Sequence, residues 1–238
     1  MKLLIDAGNT RVKWALHDGR DWLAQGAVTH ADIATLAAVW AGYPIRSVHA
    51  ASVASAAVTA ALEAAAPQPV QWVRSQRDGG GVRNRYRDPS EQGADRWLAV
   101  LAARELCAGD VVVACAGTAL TVEALTAEGD YLGGLILPGH ALMLESLARG
   151  TANLNRMPGQ VVAFPQGTQD ALASGAADAL CGAIERMRRR LVESTGRGPA
   201  ELLLTGGDAE RLAPWLAAPL RIVDNLVLMG LLKMAGES

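Results

Sequence analysis

The 238-residue chain contains few cysteines and no paired cysteine motif. Cys107, Cys115 and Cys181 are an odd number of thiols without CxxC spacing. This pattern argues against a disulfide framework and against structural zinc, and it favours a reducing compartment. The four histidines also lack HExxH or any other metal-ligand spacing. We therefore predict no metal site built from cysteine or histidine clusters.

An excess of charge of one sign is also missing, because the formal net charge is −2. Such a balance gives no electrostatic reason to expect nucleic acid, and it favours a small-molecule partner. The basic run at 186–190 closes a predicted helix, where positive charge suits the negative pole of the helix dipole. We interpret this run as a solvated helix end, with a nucleic-acid patch as the less favoured alternative.

Long hydrophobic runs are absent as well. Charged residues such as Arg104 and Glu145 interrupt the best candidates for a membrane span. A strand begins directly after Met1, without the basic and apolar regions of a signal peptide. We expect no membrane association and a cytoplasmic location.

Two common phosphate-binding motifs are not found, since the chain has neither GxxxxGK[ST] nor GxGxxG. A P-loop and a dinucleotide fingerprint are therefore excluded. The glycine run at 79–81 has no following lysine and lies in a polar stretch, 74–93, without helical or strand period. We interpret 74–93 as a long loop, flexible at its glycines, of the kind that is usually functional or mobile.

The most informative feature present is an internal repeat. Residues 4–16 read LIDAGNTRVKWAL, and 109 residues later residues 113–125 read VACAGTALTVEAL. Each copy is an apolar strand, a tight glycine turn with small hydroxyl or amide residues, and a second alternating strand. The repeat predicts two β-hairpins in a duplicated nucleotide-binding domain, with both glycine turns on the same phosphate chain.

The remaining pattern predicts an α/β fold in two halves, 1–109 and 110–238. Each half is expected to hold a mixed sheet with a three-stranded antiparallel meander and flanking helices. The predicted strands are 2–6, 11–17, 22–29, 45–50, 70–73, 110–115, 119–126, 131–137 and 202–205. The predicted helices are 31–40, 55–66, 95–107, 138–149, 169–193 and 224–234.

The two hairpin turns supply the candidate phosphate ligands. These are Asp6, Gly8, Asn9, Thr10 and Lys13 in the first copy, and Gly117 and Thr118 in the second. The Asp6 carboxylate can face a metal-bound phosphate, and glycine lets backbone amides approach phosphate oxygens closely. An ordinary hairpin turn is the alternative for either copy alone, and the match between the copies favours the phosphate interpretation. A third glycine turn at 205–208 follows another apolar strand and is open to either interpretation.

Four short motifs together resemble one known family. They are Asp6-Xxx-Gly-Asn-Thr10 with Lys13-Trp14, Gly93-Ala94-Asp95-Arg96, Gly117-Thr118-Ala119, and Thr168 just before DALASG. In this order and at about these spacings they are similar to the type III pantothenate kinases of the sugar kinase, heat-shock protein 70 and actin superfamily. The resemblance runs from Asp6 to the closing helix, and it implies two actin-like, ribonuclease H-like halves.

The resemblance implies ATP-dependent phosphorylation of pantothenate to 4′-phosphopantothenate, the first step of coenzyme A synthesis. Asp95 would accept the proton of the primary hydroxyl, although an aspartate at such a helix start is more often an N-cap. Asp6 would orient Mg²⁺ on ATP, and the turns with Thr10 and Thr118 would hold the phosphates.

The family resemblance also implies which residues bind the acceptor and which oligomer the chain forms. Arg96 would hold a carboxylate or carbonyl oxygen of pantothenate, with a surface salt bridge as the alternative role. Gly93, Ala94 and Tyr86 would contact the same substrate. Thr168 would contact it from the neighbouring subunit, because the family forms homodimers that complete the site at the interface.

One residue departs from the family pattern. Many members have an aspartate at the position of Cys115, where a carboxylate binds a monovalent cation, and a thiol serves potassium or ammonium poorly. This departure puts that cation site in doubt. It also gives weight to a non-catalytic accessory or regulatory protein as an alternative, beside a kinase of the same superfamily with another small-molecule acceptor.

Overall fold

The computed structural model of the chain describes residues 1–236. It confirms the predicted α/β class, with mixed sheets and flanking helices. Contacts divide the chain into two compact units. The first comprises Met1–Glu105 and the closing segment from Asn225 onward, and the second is Leu106–Asp224. The boundary expected at 109 and 110 stays a prediction.

The sheet of the first unit has the order β3-β2-β1-β4-β5. Its strands are β1 (Lys2–Ala7), β2 (Arg11–His17), β3 (Trp22–Thr29), β4 (Ser47–Ser52) and β5 (Val70–Trp72). The first three form the predicted antiparallel meander, while β4 lies parallel to β1 and β5 parallel to β4. Because β1 is central, its apolar residues are buried on both faces and its carboxyl end opens at Asp6.

Four α-helices belong to the first unit: α1 (Leu36–Trp40), α2 (Ala56–Ala65), α3 (Ala94–Leu106) and α7 (Leu226–Gly236). A 3₁₀ helix, His30–Thr35, precedes α1, so the helix predicted over 31–40 is 3₁₀ in its first half. Trp14 and Trp40 meet edge to face in the core, with ring centroids 6.2 Å apart. Helix α3 is buried through most of its length, which fixes the residues at its start.

The stretch 74–93 is not wholly irregular, which corrects the prediction of a loop without strands. It contains a short antiparallel hairpin, β6 (Asp78–Gly79) with β7 (Val82–Asn84), and a 3₁₀ turn at Pro89–Glu91. Gly80 and Gly81, with φ of 56° and 76°, form the two-residue connection. Consecutive positive φ angles are what a tight hairpin turn requires, so these glycines fold the hairpin. Strands of two and three residues are too short for a detectable period.

The strands of the second unit run in the order β12-β11-β8-β9-β10. They are β8 (Val111–Ala116), β9 (Ala119–Leu125), β10 (Asp130–Pro138), β11 (Glu201–Thr205) and β12 (Leu220–Ile222). The first three form the second predicted antiparallel meander, and β11 lies parallel to both β8 and β12. The helices are α4 (His140–Gly150), α5 (Thr168–Thr195) and the short α6 (Ala209–Leu212).

The basic run at 186–190 is not entirely solvated, because Arg188 is only 5 % exposed. Its guanidinium donates to the carbonyls of Ala200, Ala217 and Pro219 and pairs with Glu185. A buried guanidinium needs such acceptors, so Arg188 joins α5 to the segments on either side of β11. Within residues 1–236, no helix is both long and apolar enough to cross a membrane.

Candidate functional site

The first hairpin of the repeat carries Asp6 at the open end of β1. Asp6 is half-buried and stands opposite Lys13 in the β1–β2 register. The turn between the strands is closed by the amide of Gly8, which donates to the carbonyl of Arg11 at 3.1 Å. Asn9 is exposed in this turn, as is Thr10. The predicted phosphate ligands of the first copy thus surround one strand end.

A histidine that the sequence did not reveal braces this turn. His30, in the 3₁₀ helix after β3, has its Nε2 3.0 Å from the Gly8 carbonyl oxygen. Twenty-two residues separate the partners in the sequence. No local pattern marks such a contact, because β3 brings the histidine back beside the turn only after the meander has folded.

Asp6 and Asp95 are brought together by the fold of the first unit. The pKa of Asp6 is raised from 3.8 to about 7, chiefly by burial and also by the negative charge of Asp95, while Lys13 opposes the rise. Two carboxylates beside one lysine form a set of oxygen donors with uncompensated negative charge. Such a set fits a hard divalent cation, which prefers oxygen ligands. Among residues 1–236 no third His, Cys, Asp or Glu side chain joins these two carboxylates in a metal-binding group.

Asp95 lies in the first turn of α3, where its Oδ1 accepts from the amide of Arg96 at 2.8 Å. Burial raises the pKa of the Asp95 carboxyl, and the Arg96 amide and guanidinium oppose that rise. A Cβ on Gly93 would stand 2.6 Å from this Oδ1 and 3.3 Å from Val53. Glycine at 93 therefore leaves the space that the Asp95 carboxylate occupies.

Arg96 and Tyr86 form a second part of the predicted site. Arg96 is buried, donates to the Tyr86 hydroxyl at 2.9 Å, and lies with its guanidinium carbon 5.5 Å from the centre of the Tyr86 ring. This packing restricts both side chains. Arg96 is accordingly not the surface salt bridge that was its alternative role.

A polar cavity of about 480 Å³ adjoins the start of α3. Its walls include Arg74, Ser75, Gln92 and Gly93, together with Ala94 just before Asp95. A cavity of this size accommodates a small polar molecule. It places free volume next to three of the predicted acceptor residues, since Gly93 and Ala94 line it and Asp95 follows.

The second hairpin lies in the other unit and has two residues between its strands, where the first has three. The amide of Gly117 donates to the Ala119 carbonyl at 3.0 Å, as Gly8 does to Arg11. Gly117 and Thr118 are exposed at its tip. A Cβ on Gly139 would overlap the Gly117 carbonyl, so α4 starts in direct contact with this turn. Cys115, the counterpart of Asp6, is partly exposed between β9 and β11.

The third glycine turn has a packing role. A Cβ on Gly206, whose φ is 103°, would overlap the carbonyl of Ala116. That carbonyl also accepts from the amide of Asp208 at 3.1 Å. Only a glycine allows the chain to leave β11 so close to the end of β8.

Thr168 is the first residue of α5. The cavity that it lines does not include the residues of the second hairpin turn. Thr168 belongs to the wall of a mostly apolar cavity of about 510 Å³ between α4 and α5, with Met143, Leu147 and Leu154. The structure thus groups Asp6, Lys13 and Asp95, and separately Tyr86 with Arg96, in the first unit. It places Gly117, Thr118 and Thr168 in the second.

Comparison with known proteins gives a consistent result over the whole chain. The family profile described as type III pantothenate kinase matches residues 2–190. A type III pantothenate kinase from Chromobacterium violaceum is 70 % identical over 235 residues, which cover 99 % of this chain and 99 % of that protein.

Solved structures show the same fold at low sequence identity. A Baf-family protein from Campylobacter jejuni superposes with a TM-score of 0.62 at 22 % identity, over 99 % of this chain and 98 % of that one. A polyphosphate/ATP-glucomannokinase from Arthrobacter sp. strain KM gives a TM-score of 0.50 at 15 % identity, with the same coverage. These similarities confirm the predicted fold of actin-like sugar kinases.

Proposed function

Because the chain belongs to the type III pantothenate kinase family, we propose that it phosphorylates pantothenate to 4′-phosphopantothenate with ATP, the first step of coenzyme A biosynthesis. The sequence identity of 70 % over 99 % of the chain carries this proposal. Lys13, Asp95 and Arg96 stand in folded positions that suit a kinase, which argues against a non-catalytic accessory protein. The proposed acceptor, pantothenate, is what distinguishes this chain from other kinases of the superfamily.

Asp95 is the proposed catalytic residue. Its carboxylate would accept the proton of the primary hydroxyl of pantothenate and direct that oxygen in line with the γ-phosphate. Burial raises its pKa, which makes it a better proton acceptor than a solvated aspartate. Arg96 and Tyr86 would hold the polar groups of the acceptor, with Gly93 and Ala94 beside them.

Asp6 would hold the divalent ion, proposed to be Mg²⁺, and Lys13 would face the phosphates. A bound Mg²⁺ supplies charge neutralisation on the phosphoryl oxygens, and no covalent catalysis is needed. The exposed turns at Gly8–Thr10 and Gly117–Thr118 would bind the phosphate chain with backbone amides and the two threonine hydroxyls.

We do not place a monovalent cation at Cys115. Its thiol is a soft ligand, and potassium or ammonium prefers oxygen. Assays with and without these ions, on the natural chain and on Cys115→Asp, test this assignment. Stimulation that depends on the introduced carboxylate supports it, and equal stimulation of both proteins contradicts it.

We further propose a homodimer in which Thr168 of one chain lies near the acceptor of the other. Large apolar side chains remain open to solvent in the second unit, notably Phe164 at 88 % and Met157 at 77 % exposed. Exposure on this scale is typical of an association surface. Sedimentation should give twice the 24.8 kDa mass of one chain. The proposed location is the cytoplasm.

The direct test supplies purified protein with ATP, Mg²⁺ and pantothenate and measures phosphopantothenate. Absence of product overturns the proposed function. Panels of sugars and small hydroxy acids as competing acceptors distinguish pantothenate kinase from another kinase of the superfamily, because the preferred acceptor has the highest kcat/KM.

Asp95→Asn should lower kcat by roughly two to four orders of magnitude, since an amide cannot accept the hydroxyl proton. ATP binding, measured by calorimetry, should change little, because the phosphate-binding turns are untouched. Asp21→Asn, the same change at an exposed position, is the control. Undiminished turnover of Asp95→Asn would show that another group is the base.

A further inference from the structure

Asn84 is a buried polar residue to which neither the repeat nor the motifs assign a role. It ends β7 inside the stretch 74–93 and is 1 % exposed. A buried amide is retained at this depth only when its donors and acceptor are satisfied. The partners of Asn84 therefore show what it holds together.

The donor side of the Asn84 amide joins the two ends of the stretch. Nδ2 lies 3.0 Å from Ser75 Oγ, 3.0 Å from the Gln76 carbonyl and 2.8 Å from Gln92 Oε1. Ser75 Oγ also donates to Gln92 Oε1 at 2.7 Å. Residues 75 and 92 are thereby linked through one side chain, although 17 positions separate them.

The acceptor side of the same amide fixes the backbone of Tyr86. Asn84 Oδ1 accepts from the Tyr86 amide at 3.0 Å. Arg77 reinforces this segment, because its guanidinium donates to the carbonyls of Asn84 and Arg87, each at 3.0 Å. The position of the Tyr86 ring over Arg96 depends on this backbone.

The two sides of Asn84 thus reach the two parts of the acceptor site. Ser75 and Gln92 line the polar cavity, and Gln92 immediately precedes Gly93, Ala94 and Asp95. Tyr86 contacts Arg96. One buried amide therefore sets the distance between Tyr86 and the start of α3.

We propose that Asn84 is a positioning residue for the acceptor: it does not touch pantothenate but holds Tyr86 and the segment 92–96 in register around it. This inference rests on the proposed function.

The test compares the natural chain with Asn84→Ala, Asn84→Asp and the control Gln71→Ala, which truncates an exposed amide on β5 of the same unit. Asn84→Ala should raise KM for pantothenate about tenfold or more, because small displacements of positioning groups are costly. KM for ATP should stay within about twofold, since the first hairpin turn is not part of the network. Gln71→Ala should alter neither value.

Asn84→Asp keeps the acceptor for the Tyr86 amide and loses the donors to residues 75, 76 and 92. It is isosteric and serves as the second probe if Asn84→Ala does not fold. It should also raise KM for pantothenate and leave KM for ATP unchanged. In a Tyr86→Phe background, the effect of Asn84→Ala on KM for pantothenate should be smaller than in the natural chain, because Asn84 acts on the acceptor site partly through Tyr86.

Three results would overturn the inference alone while the natural chain is active. They are an unchanged KM for pantothenate in both Asn84 variants, an equal rise in KM for ATP, or fully additive effects with Tyr86→Phe. A lower melting temperature with unchanged KM would show a purely structural role and also overturn it. If the natural chain makes no phosphopantothenate, the proposed function fails, and this inference fails with it.

Discussion

Asp6 shows how the ionisation of a single carboxyl group costs stability. Its pKa rises from 3.8 to about 7 because it is buried and lies near Asp95. The folded state therefore binds a proton more tightly than the unfolded state does between these two values. The stability that Asp6 contributes is greatest below about pH 4 and is lost as the pH rises to about 7, where Asp6 ionises.

We expect Asp6→Asn to remove this dependence in the metal- and nucleotide-free protein. At pH 8 the variant should be more stable than the natural chain by roughly 2 to 4 kcal/mol, and the difference should shrink towards pH 4. Urea unfolding at several pH values measures it. Asp21→Asn, at an exposed position, should show no such trend. A constant difference between Asp6→Asn and the natural chain across this range would contradict the assigned cause.

The residues that the sequence identified and those it did not differ in the range of their contacts. Asp6, Gly8 and Gly117 lie in or next to turns between adjacent strands, so a local pattern was sufficient to find them. His30 and Asn84 bond to backbone groups that are distant in sequence or lie within a stretch of no clear period. Their partners exist only after folding, and residue type alone does not reveal them. The roles of all these residues stay predictions until they are tested.

At the scale of elements, the two meanders were predictable because their strands are six to nine residues long and mostly apolar. The prediction for 22–29 coincides with β3, and that for 119–126 extends one residue beyond β9. Strand β12 and helix α6 were not predicted, since three or four residues give no measurable period. The strand β10 also continues to Pro138, where a helix had been expected to begin.

The turn after β11 offers a sharp test of close backbone packing between two elements. Gly206 has positive φ and would place a Cβ on the Ala116 carbonyl, whereas a Cβ on its neighbour Gly207 would meet nothing within 4 Å. Gly206→Ala should cost at least about 2 kcal/mol of unfolding free energy, and Gly207→Ala less than about 1 kcal/mol. Denaturant unfolding of both variants measures these costs. Equal costs would show that the turn relaxes freely.

At the scale of the whole molecule, the first unit is built from both ends of the chain. Lys2 donates to the carbonyl of Ala235, which ties β1 to the closing helix α7. Gly230 of α7 lies so close to α3 that a Cβ would overlap the Leu98 backbone. Helix α7 therefore supports α3, the helix that carries Asp95 and Arg96.

Gly230→Ala should consequently reduce both stability and turnover. We expect a loss of roughly 1 to 3 kcal/mol from overpacking, with a lower kcat because α3 is displaced. Gly182→Ala, in α5 with open space around it, should instead be neutral or gain up to about 1 kcal/mol from helix propensity. Thermal unfolding and steady-state assays measure both effects. A Gly230→Ala variant with natural stability and turnover would show that α7 does not support α3.

The discontinuous first unit has a consequence for how the protein is made. Its amino-terminal portion leaves the ribosome first, but α7 is translated only after the whole second unit. The second unit, a single continuous segment, can complete its contacts earlier. Chains cut short by premature termination would carry Asp6 and Asp95 yet lack the helix against which α3 packs. A ribosome that stops before α7 therefore releases a first unit in which α3 lacks this packing partner.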